Sequence, residues 1–126
     1  MIVLDTSALI DSLSGPRRSA NKLRMAIEQG ERILVPSLVL YEWLRGPRLP
    51  SEIAAQEALF PADGAIVFGS REATLSAKLY QSLRRPRGRE MEIAIAACAL
   101  VQDADLWTLN AADFKDISPL RLWPAR

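Results

Sequence analysis

Short apolar runs alternate with segments of helical periodicity along the chain. The runs cover residues 2–4, 33–35, 65–68 and 106–109, and residues 120–123 are expected to add a short edge strand. Short apolar runs bounded by turn residues are typical of strands that are buried on both faces of a sheet. The alternation therefore predicts an α/β fold in three layers, with helices on both faces of a mostly parallel sheet of about four to five strands.

The segments between these runs carry apolar residues at helical spacing. They begin near Thr6 or Ser7, Arg17, Ser37, Ser51, Ser70 and Glu90. Serine and threonine are common helix caps, and the glycines at positions 15, 30 and 46 are suitable stops. The last segment, Glu90–Val101, is apolar on nearly every side, which predicts a buried helix. No repeat or linker divides residues 1–126, so we expect a single domain.

The residue types exclude several kinds of chemistry. The chain has no histidine, which excludes Ser-His-Asp and Cys-His nucleophiles, imidazole acid-base catalysis and histidine metal sites. Its one cysteine, Cys98, lies in an apolar run and is expected to be a buried free thiol. A single cysteine forms no intrachain disulfide and no cysteine-based zinc site. Carboxylates must therefore carry any hydrolytic chemistry.

The sequence contains no membrane signal. No apolar stretch approaches the length of a transmembrane helix, and Asp5 interrupts the N-terminal apolar run too early for a signal peptide. We therefore expect a cytoplasmic protein without a membrane partner.

Acidic residues follow the predicted strands. Asp5 ends the first strand, Glu42 lies in the helix after the second, and Asp113 follows the fourth. Glu92 begins the apolar helix. Parallel strands place their carboxyl ends at one edge of the sheet, where α/β proteins bind ligands. We therefore expect these carboxylates to converge.

Convergence of carboxylates requires a counter-ion. Two carboxylates about 4 Å apart repel by roughly 4 kcal/mol at an effective dielectric constant of 20. Hard oxygen ligands suit Mg²⁺ or Mn²⁺, which activate water for attack on a phosphodiester. The acids thus suggest metal-dependent hydrolysis.

Each acid also has a purely structural explanation. Asp5 is a suitable helix cap, and Glu42 can pair with Arg45 on a helix surface. Glu92 suits the positive end of a helix dipole, and Asp113 suits a turn. Taken singly, Glu42 and Asp113 are better explained by these structural roles, whereas both interpretations stay open for Asp5.

A cluster of arginines precedes the apolar helix. Although the formal net charge is only +1, Arg84, Arg85, Arg87 and Arg89 lie together in RRPRGRE. Arginine binds phosphate through two parallel hydrogen bonds, so the cluster is a candidate RNA contact. A solvated loop at a helix C-terminus is the alternative interpretation.

Four segments together resemble a known family. IVLDTSALID, PSLVLYEWLRG, REMEIAIAACAL and LWTLNAADF resemble, in order, the four acidic motifs of PIN-domain ribonucleases, and are most similar to those of VapC-type toxins of toxin-antitoxin pairs. The resemblance spans Met1 to about Trp123. It implies that Asp5, Glu42, Glu92 and Asp113 are catalytic metal ligands. It also implies supporting roles for Thr6 or Ser7 beside Asp5 and for Asn110 beside Asp113.

The resemblance further implies an activity and partners. It predicts an Mg²⁺- or Mn²⁺-dependent endoribonuclease that cuts structured RNA, forms a homodimer and is held inactive by a cognate antitoxin. Glu92 departs from the family pattern, because that position is usually Asp. Its extra methylene moves the carboxylate by more than about one ångström. A catalytically weakened RNA- or partner-binding module, or an RNA-processing nuclease without a toxin role, are therefore the alternatives.

Overall fold

The computed structural model describes residues 1–124. Three parallel strands form the central sheet of the fold. They are β1 (Ile2–Leu4), β2 (Ile33–Leu34) and β3 (Asp105–Trp107), in the spatial order β2-β1-β3. Ile2 lies opposite both Ile33 and Asp105. The predicted parallel α/β architecture is confirmed, and all three strands end at the same edge.

Six helices flank this sheet. They are α1 (Thr6–Leu13), α2 (Ala20–Glu28), α3 (Ser37–Arg45), α4 (Pro50–Leu59), α5 (Ser70–Ser82) and α6 (Glu90–Val101). Two short 3₁₀ turns, Ala62–Gly64 and Ala111–Asp113, complete the described elements. Gly30 follows the end of α2 with φ of 87°, a conformation that glycine adopts without strain. It is therefore a stop for this helix, as predicted.

The strand count was predicted too high for the described residues. Residues 65–68 and 120–123 each contribute one isolated parallel bridge, Pro36 with Ile66 and Leu106 with Leu122. The first bridge is not extended into a ladder because the segment that contains Pro36 begins helix α3 at Ser37. The second is bounded by Pro124, which has no N–H to donate. The last strand also ends earlier than predicted, at Trp107.

The core surrounds β1 and α6. Ile2, Val3 and Leu4 are at most 1% exposed. Successive strand residues point to opposite faces, so both faces of β1 are covered. In α6 six of the twelve residues are buried and only Glu90 is exposed, and the helix contacts β1, β3, α3 and α5. The predicted burial of this helix is confirmed.

Cys98 belongs to this core. Its thiol is free and buried, as expected, and burial raises its pKa to about 12. The group therefore stays protonated and packs as a small apolar side chain. Within residues 1–124, none of the helices is both long and apolar enough to cross a bilayer.

Candidate active site

A cavity of about 170 Å³ lies where β1 and β3 end. It is lined by Asp5, Thr6, Ser7, Glu42, Met91, Glu92, Ile95, Asn110, Asp113 and Phe114. The structure thus brings together the four acids predicted from the sequence, along with the three polar residues predicted to support them. They come from α1, α3, α6 and the segment after β3, which are distant in sequence but adjacent at this edge.

Asp5 is the most firmly held of the acids. It is 4% exposed and is the N-cap of α1, where its carboxylate accepts a hydrogen bond from the Ala8 amide at 3.0 Å. The Ser7 hydroxyl donates to the same carboxylate at 2.6 Å, and the Thr108 hydroxyl donates at 2.5 Å. The sequence indicated Thr6, Ser7 and Asp5 as possible caps. Asp5 takes the position, where its carboxylate faces the positive end of the helix.

The capping and site interpretations of Asp5 are compatible. One oxygen, Oδ1, serves α1 and Ser7, whereas Oδ2 is held by Thr108. The Leu109 amide donates to the Ser7 hydroxyl at 3.0 Å, and the Asn110 amide donates to that of Thr108 at 2.9 Å. These bonds attach the end of β3 to the start of α1.

Thr108 is a site residue that the sequence reasoning missed. It is the first polar residue after a buried strand, as Asp5 is after β1. That shared position was a usable signal, since parallel strands end at one edge.

Glu42 has two partners at the cavity. Its Oε1 accepts a hydrogen bond from the Thr6 hydroxyl, and its Oε2 pairs with Arg45 at 3.5 Å. The side chain of Arg45 is 59% exposed and that of Glu42 17%. Exposed pairs of this kind contribute little, about 0–1 kcal/mol. Thr6 therefore orients Glu42, whereas Ser7 orients Asp5.

Glu92 and Asp113 approach the cavity from the ends of two other elements. Glu92 lies in the first turn of α6 and is partly buried. Asp113 ends the 3₁₀ turn after β3 and is exposed. A hydrogen bond within that turn stabilises its backbone: the Asp113 amide donates to the Asn110 carbonyl at 2.9 Å.

The four arginines of RRPRGRE differ in their surroundings. Arg84, Arg85 and Arg87 are exposed, whereas Arg89 is partly buried and bound to Asp116 through two hydrogen bonds of 2.9 and 2.7 Å. Through this contact, Asp116 raises the pKa of the Arg89 guanidinium, and Arg89 lowers the pKa of the Asp116 carboxyl. Both Nη groups of Arg89 therefore already donate to a carboxylate of the protein.

The donor set of the cavity suits a hard divalent cation. Carboxylates, an amide and hydroxyls line it, and none of its lining residues in the described chain is Lys or Arg. Among residues 1–124, no three Asp, Glu or Cys side chains are close enough to hold one ion in this conformation. Mg²⁺ commonly takes only one or two carboxylates and completes its shell with water and phosphate. The chemistry of the site thus fits such an ion without a ready-made cage.

The sequence profile of the PIN domain matches residues 2–118. The chain belongs to the PIN-domain family. It is 37% identical over 116 residues to Ribonuclease VapC19 of Mycobacterium tuberculosis, and this aligned region covers 90% of this chain and 92% of that protein. The resemblance to VapC-type PIN domains that the four acidic segments predicted is thereby confirmed.

Solved structures share the fold of this PIN domain. One is VapBC2 from Rickettsia felis bound to a DNA fragment from their promoter, with a TM-score of 0.75, 22% identity and 97% of each chain covered. Another is a toxin-antitoxin complex from Klebsiella pneumoniae, with a TM-score of 0.64, 18% identity and 95% of each chain covered. At these identities the similarity establishes the PIN fold alone.

Proposed function

We propose that this PIN domain is a divalent-metal-dependent endoribonuclease and the toxin component of a toxin-antitoxin pair. The observation that carries the proposal is that Asp5, Glu42, Glu92 and Asp113 line one cavity whose lining residues in the described chain include no Lys or Arg. The 37% identity to Ribonuclease VapC19 supports RNA as the substrate. A cognate antitoxin, a homodimeric state and a cytoplasmic location belong to the same proposal.

The acids are assigned as the ligands of an Mg²⁺ or Mn²⁺ ion. Asp5, Glu42, Glu92 and Asp113 would hold it, one or two of them directly and the others through its bound waters, with Asn110 as a neighbouring oxygen donor. When bound, such an ion lowers the pKa of a water and stabilises negative charge on the leaving oxygen of a phosphodiester. The chain's own contribution is to hold these oxygens in fixed directions.

Hydroxyl groups supply that orientation. Ser7 and Thr108 each donate to Asp5, and Thr6 donates to Glu42. Side chains fixed in this way lose little further freedom when a ligand binds, which is the general advantage of a preorganised site. These hydroxyls are therefore assigned as positioning groups.

The size of the cavity limits what enters it. About 170 Å³ is room for about six waters at roughly 30 Å³ each. Met91, Ile95 and Phe114 form its apolar part. A phosphate and a hydrated ion match this space and composition. Arg84, Arg85 and Arg87 are exposed and are proposed to contact RNA phosphates.

The test of this function is RNA cleavage in cells. After brief induction of the chain, sequencing of RNA ends is expected to reveal discrete new ends in structured RNA. Cells that carry the gene without induction give the background. A set of ends that is identical in induced and uninduced cells contradicts the proposal. Release of toxicity by an adjacent small antitoxin gene separates the toxin from an RNA-processing nuclease.

Glu92→Asp tests how the site depends on having Glu at a position where the family usually has Asp. We expect cleavage to be retained within about threefold of wild type or to rise, because Asp supplies the same carboxylate one methylene closer to the helix. The measurement is the initial rate on labelled RNA at saturating Mn²⁺.

Glu90→Asp is the matched control for that variant. Glu90 is exposed, begins the same helix and accepts a hydrogen bond from the Gly88 amide at 3.3 Å. It is expected to keep wild-type activity. Loss of activity in Glu90→Asp but not in Glu92→Asp would assign the third ligand to Glu90, and complete loss in Glu92→Asp would mean that the site requires the longer side chain.

A second candidate function rests on the same departure. With Glu92 as a poor ligand, the domain would bind RNA or a protein partner without cutting. A catalytically inactive module of this kind is expected to show no rise in melting temperature with Mn²⁺, whereas a functional site gains stability by mass action.

A further inference from the structure

Arg89 connects two parts of the candidate site. It precedes α6 as the N-cap residue, so its backbone leads directly into the turn that carries Glu92. Its Nη1 and Nη2 donate to the two carboxylate oxygens of Asp116 at 2.9 and 2.7 Å, and Nη2 also donates to the backbone carbonyl of Asp113 at 2.8 Å. One guanidinium therefore contacts the segment that carries the fourth acid at two points.

No other hydrogen bond makes this connection in the described chain. Within residues 1–124, every hydrogen bond between segments 84–92 and 108–116 comes from the Arg89 side chain. The remaining anchors of the 108–116 segment are the Thr108 contact with Asp5, the bond from the Leu109 amide to the Ser7 hydroxyl and the buried ring of Phe114. Asp113 and its neighbours on the surface have no comparable support from the core, since they are exposed.

The geometry of the contact is specific to arginine. A planar guanidinium makes two parallel bonds to a carboxylate and has donors left for a carbonyl. The Arg89 side chain is 21% exposed, so it is shielded on most sides. Its Nη donors are directed at Asp116, at the Asp113 carbonyl and, at 3.3 Å, at the Arg85 carbonyl, which leaves Arg89 poorly placed to bind RNA phosphate.

We infer that Arg89 and Asp116 form a positioning pair that sets the placement of Asp113 relative to Glu92, and so tunes metal affinity at the proposed nuclease site. This inference rests on the proposed function. It separates Arg89 from the phosphate-contacting role predicted for the whole RRPRGRE cluster.

The two halves of the pair provide the test. Arg89→Gln and Asp116→Asn each break the paired hydrogen bonds and remove charges of opposite sign. We expect both to weaken Mn²⁺ binding about tenfold, the lower end of the effect of residues that orient metal ligands. The double variant is expected to be no weaker than either single variant. Binding is measured by calorimetry with Mn²⁺ alone and by the Mn²⁺ concentration that gives half-maximal cleavage.

Asp116→Asn distinguishes positioning from RNA contact. If Arg89 binds phosphate directly, freeing it from Asp116 leaves RNA affinity unchanged or raises it, and Mn²⁺ affinity stays at the wild-type value. If it positions Asp113, Mn²⁺ affinity falls in both variants. Wild-type Mn²⁺ affinity in either single variant therefore overturns the inference.

Arg121→Gln is the matched control. Arg121 forms a comparable cluster with Asp105 at 2.8 Å and Asp103 at 3.3 Å, near the start of β3 and so at the opposite edge of the sheet. Its loss is expected to leave Mn²⁺ affinity unchanged. Melting curves without metal verify that all variants fold. If the wild type itself fails to bind Mn²⁺, the proposed function fails; if the wild type binds and the pair variants bind equally well, only the positioning role fails.

Discussion

Asp5→Asn is expected to lower RNA cleavage by at least about 100-fold while the domain stays folded. Replacing residues that merely orient metal ligands lowers metal affinity or activity about 10- to 100-fold. Replacing a charged ligand is therefore expected to lower activity by at least the upper value. Asn is equal to Asp in size but carries no charge. The loss is therefore expected at the chemical step and at metal binding, and it is measured as the initial rate on labelled RNA over a range of Mn²⁺ concentrations.

Folding of this variant is expected to survive because its hydrogen bonds have substitutes. Asn is as good an N-cap as Asp, so its carbonyl can accept from the Ala8 amide. The new amide group needs an acceptor. The Thr108 hydroxyl already accepts from Asn110 but has a second lone pair, and the same holds for Ser7. We therefore expect a cost of about 1 kcal/mol in the free energy of unfolding.

Asp11→Asn is a suitable control for this experiment. Asp11 lies in the same helix, and its carboxylate accepts a hydrogen bond from the Ser19 hydroxyl at 2.6 Å, away from the cavity lining. It is expected to cleave RNA at the wild-type rate. Equal rates in the wild type and Asp5→Asn, with equal melting temperatures, would contradict the assignment of Asp5 as a ligand.

The convergence of the acids at one edge of the sheet could be predicted from the sequence because a topological rule applied to it. Asp5 directly follows a run of buried residues, and the parallel order of β1 and β3 places the residues after both strands at one edge. The structural explanation of Asp5 as a cap was also right, since capping and site formation use the same carboxylate. For this residue the two interpretations were never exclusive.

The partners of individual side chains were beyond sequence reasoning. Thr108 lies 103 residues from Asp5, and Asp116 lies 27 residues from Arg89. Such pairs depend on the path of each segment that connects two strands or helices, and the local periodicity of the sequence does not predict that path. Arg89 was therefore grouped with its neighbours in the loop. The strand count was predicted too high for a similar reason, because one ladder ends where the neighbouring segment begins α3 and the other is bounded by Pro124.

Removal of divalent cations is expected to stop RNA cleavage completely. The four carboxylates of the cavity repel one another, and two unit charges even about 8 Å apart do so by roughly 2 kcal/mol at an effective dielectric constant of 20. A divalent cation turns this repulsion into attraction. Activity is measured in a chelator and after readdition of Mg²⁺ or Mn²⁺, which is expected to restore it.

The same ion is expected to stabilise the fold. At a Mn²⁺ concentration about 100 times its dissociation constant, mass action adds about 2.7 kcal/mol, which for a domain of this size is a rise of roughly 10 °C in melting temperature. Glu42→Gln removes a cavity carboxylate and should reduce that rise, whereas Glu57→Gln, an exposed acid of α4 outside the cavity lining, should not. An equal rise in both variants would place the ion elsewhere, and full cleavage in chelator would refute metal-dependent catalysis.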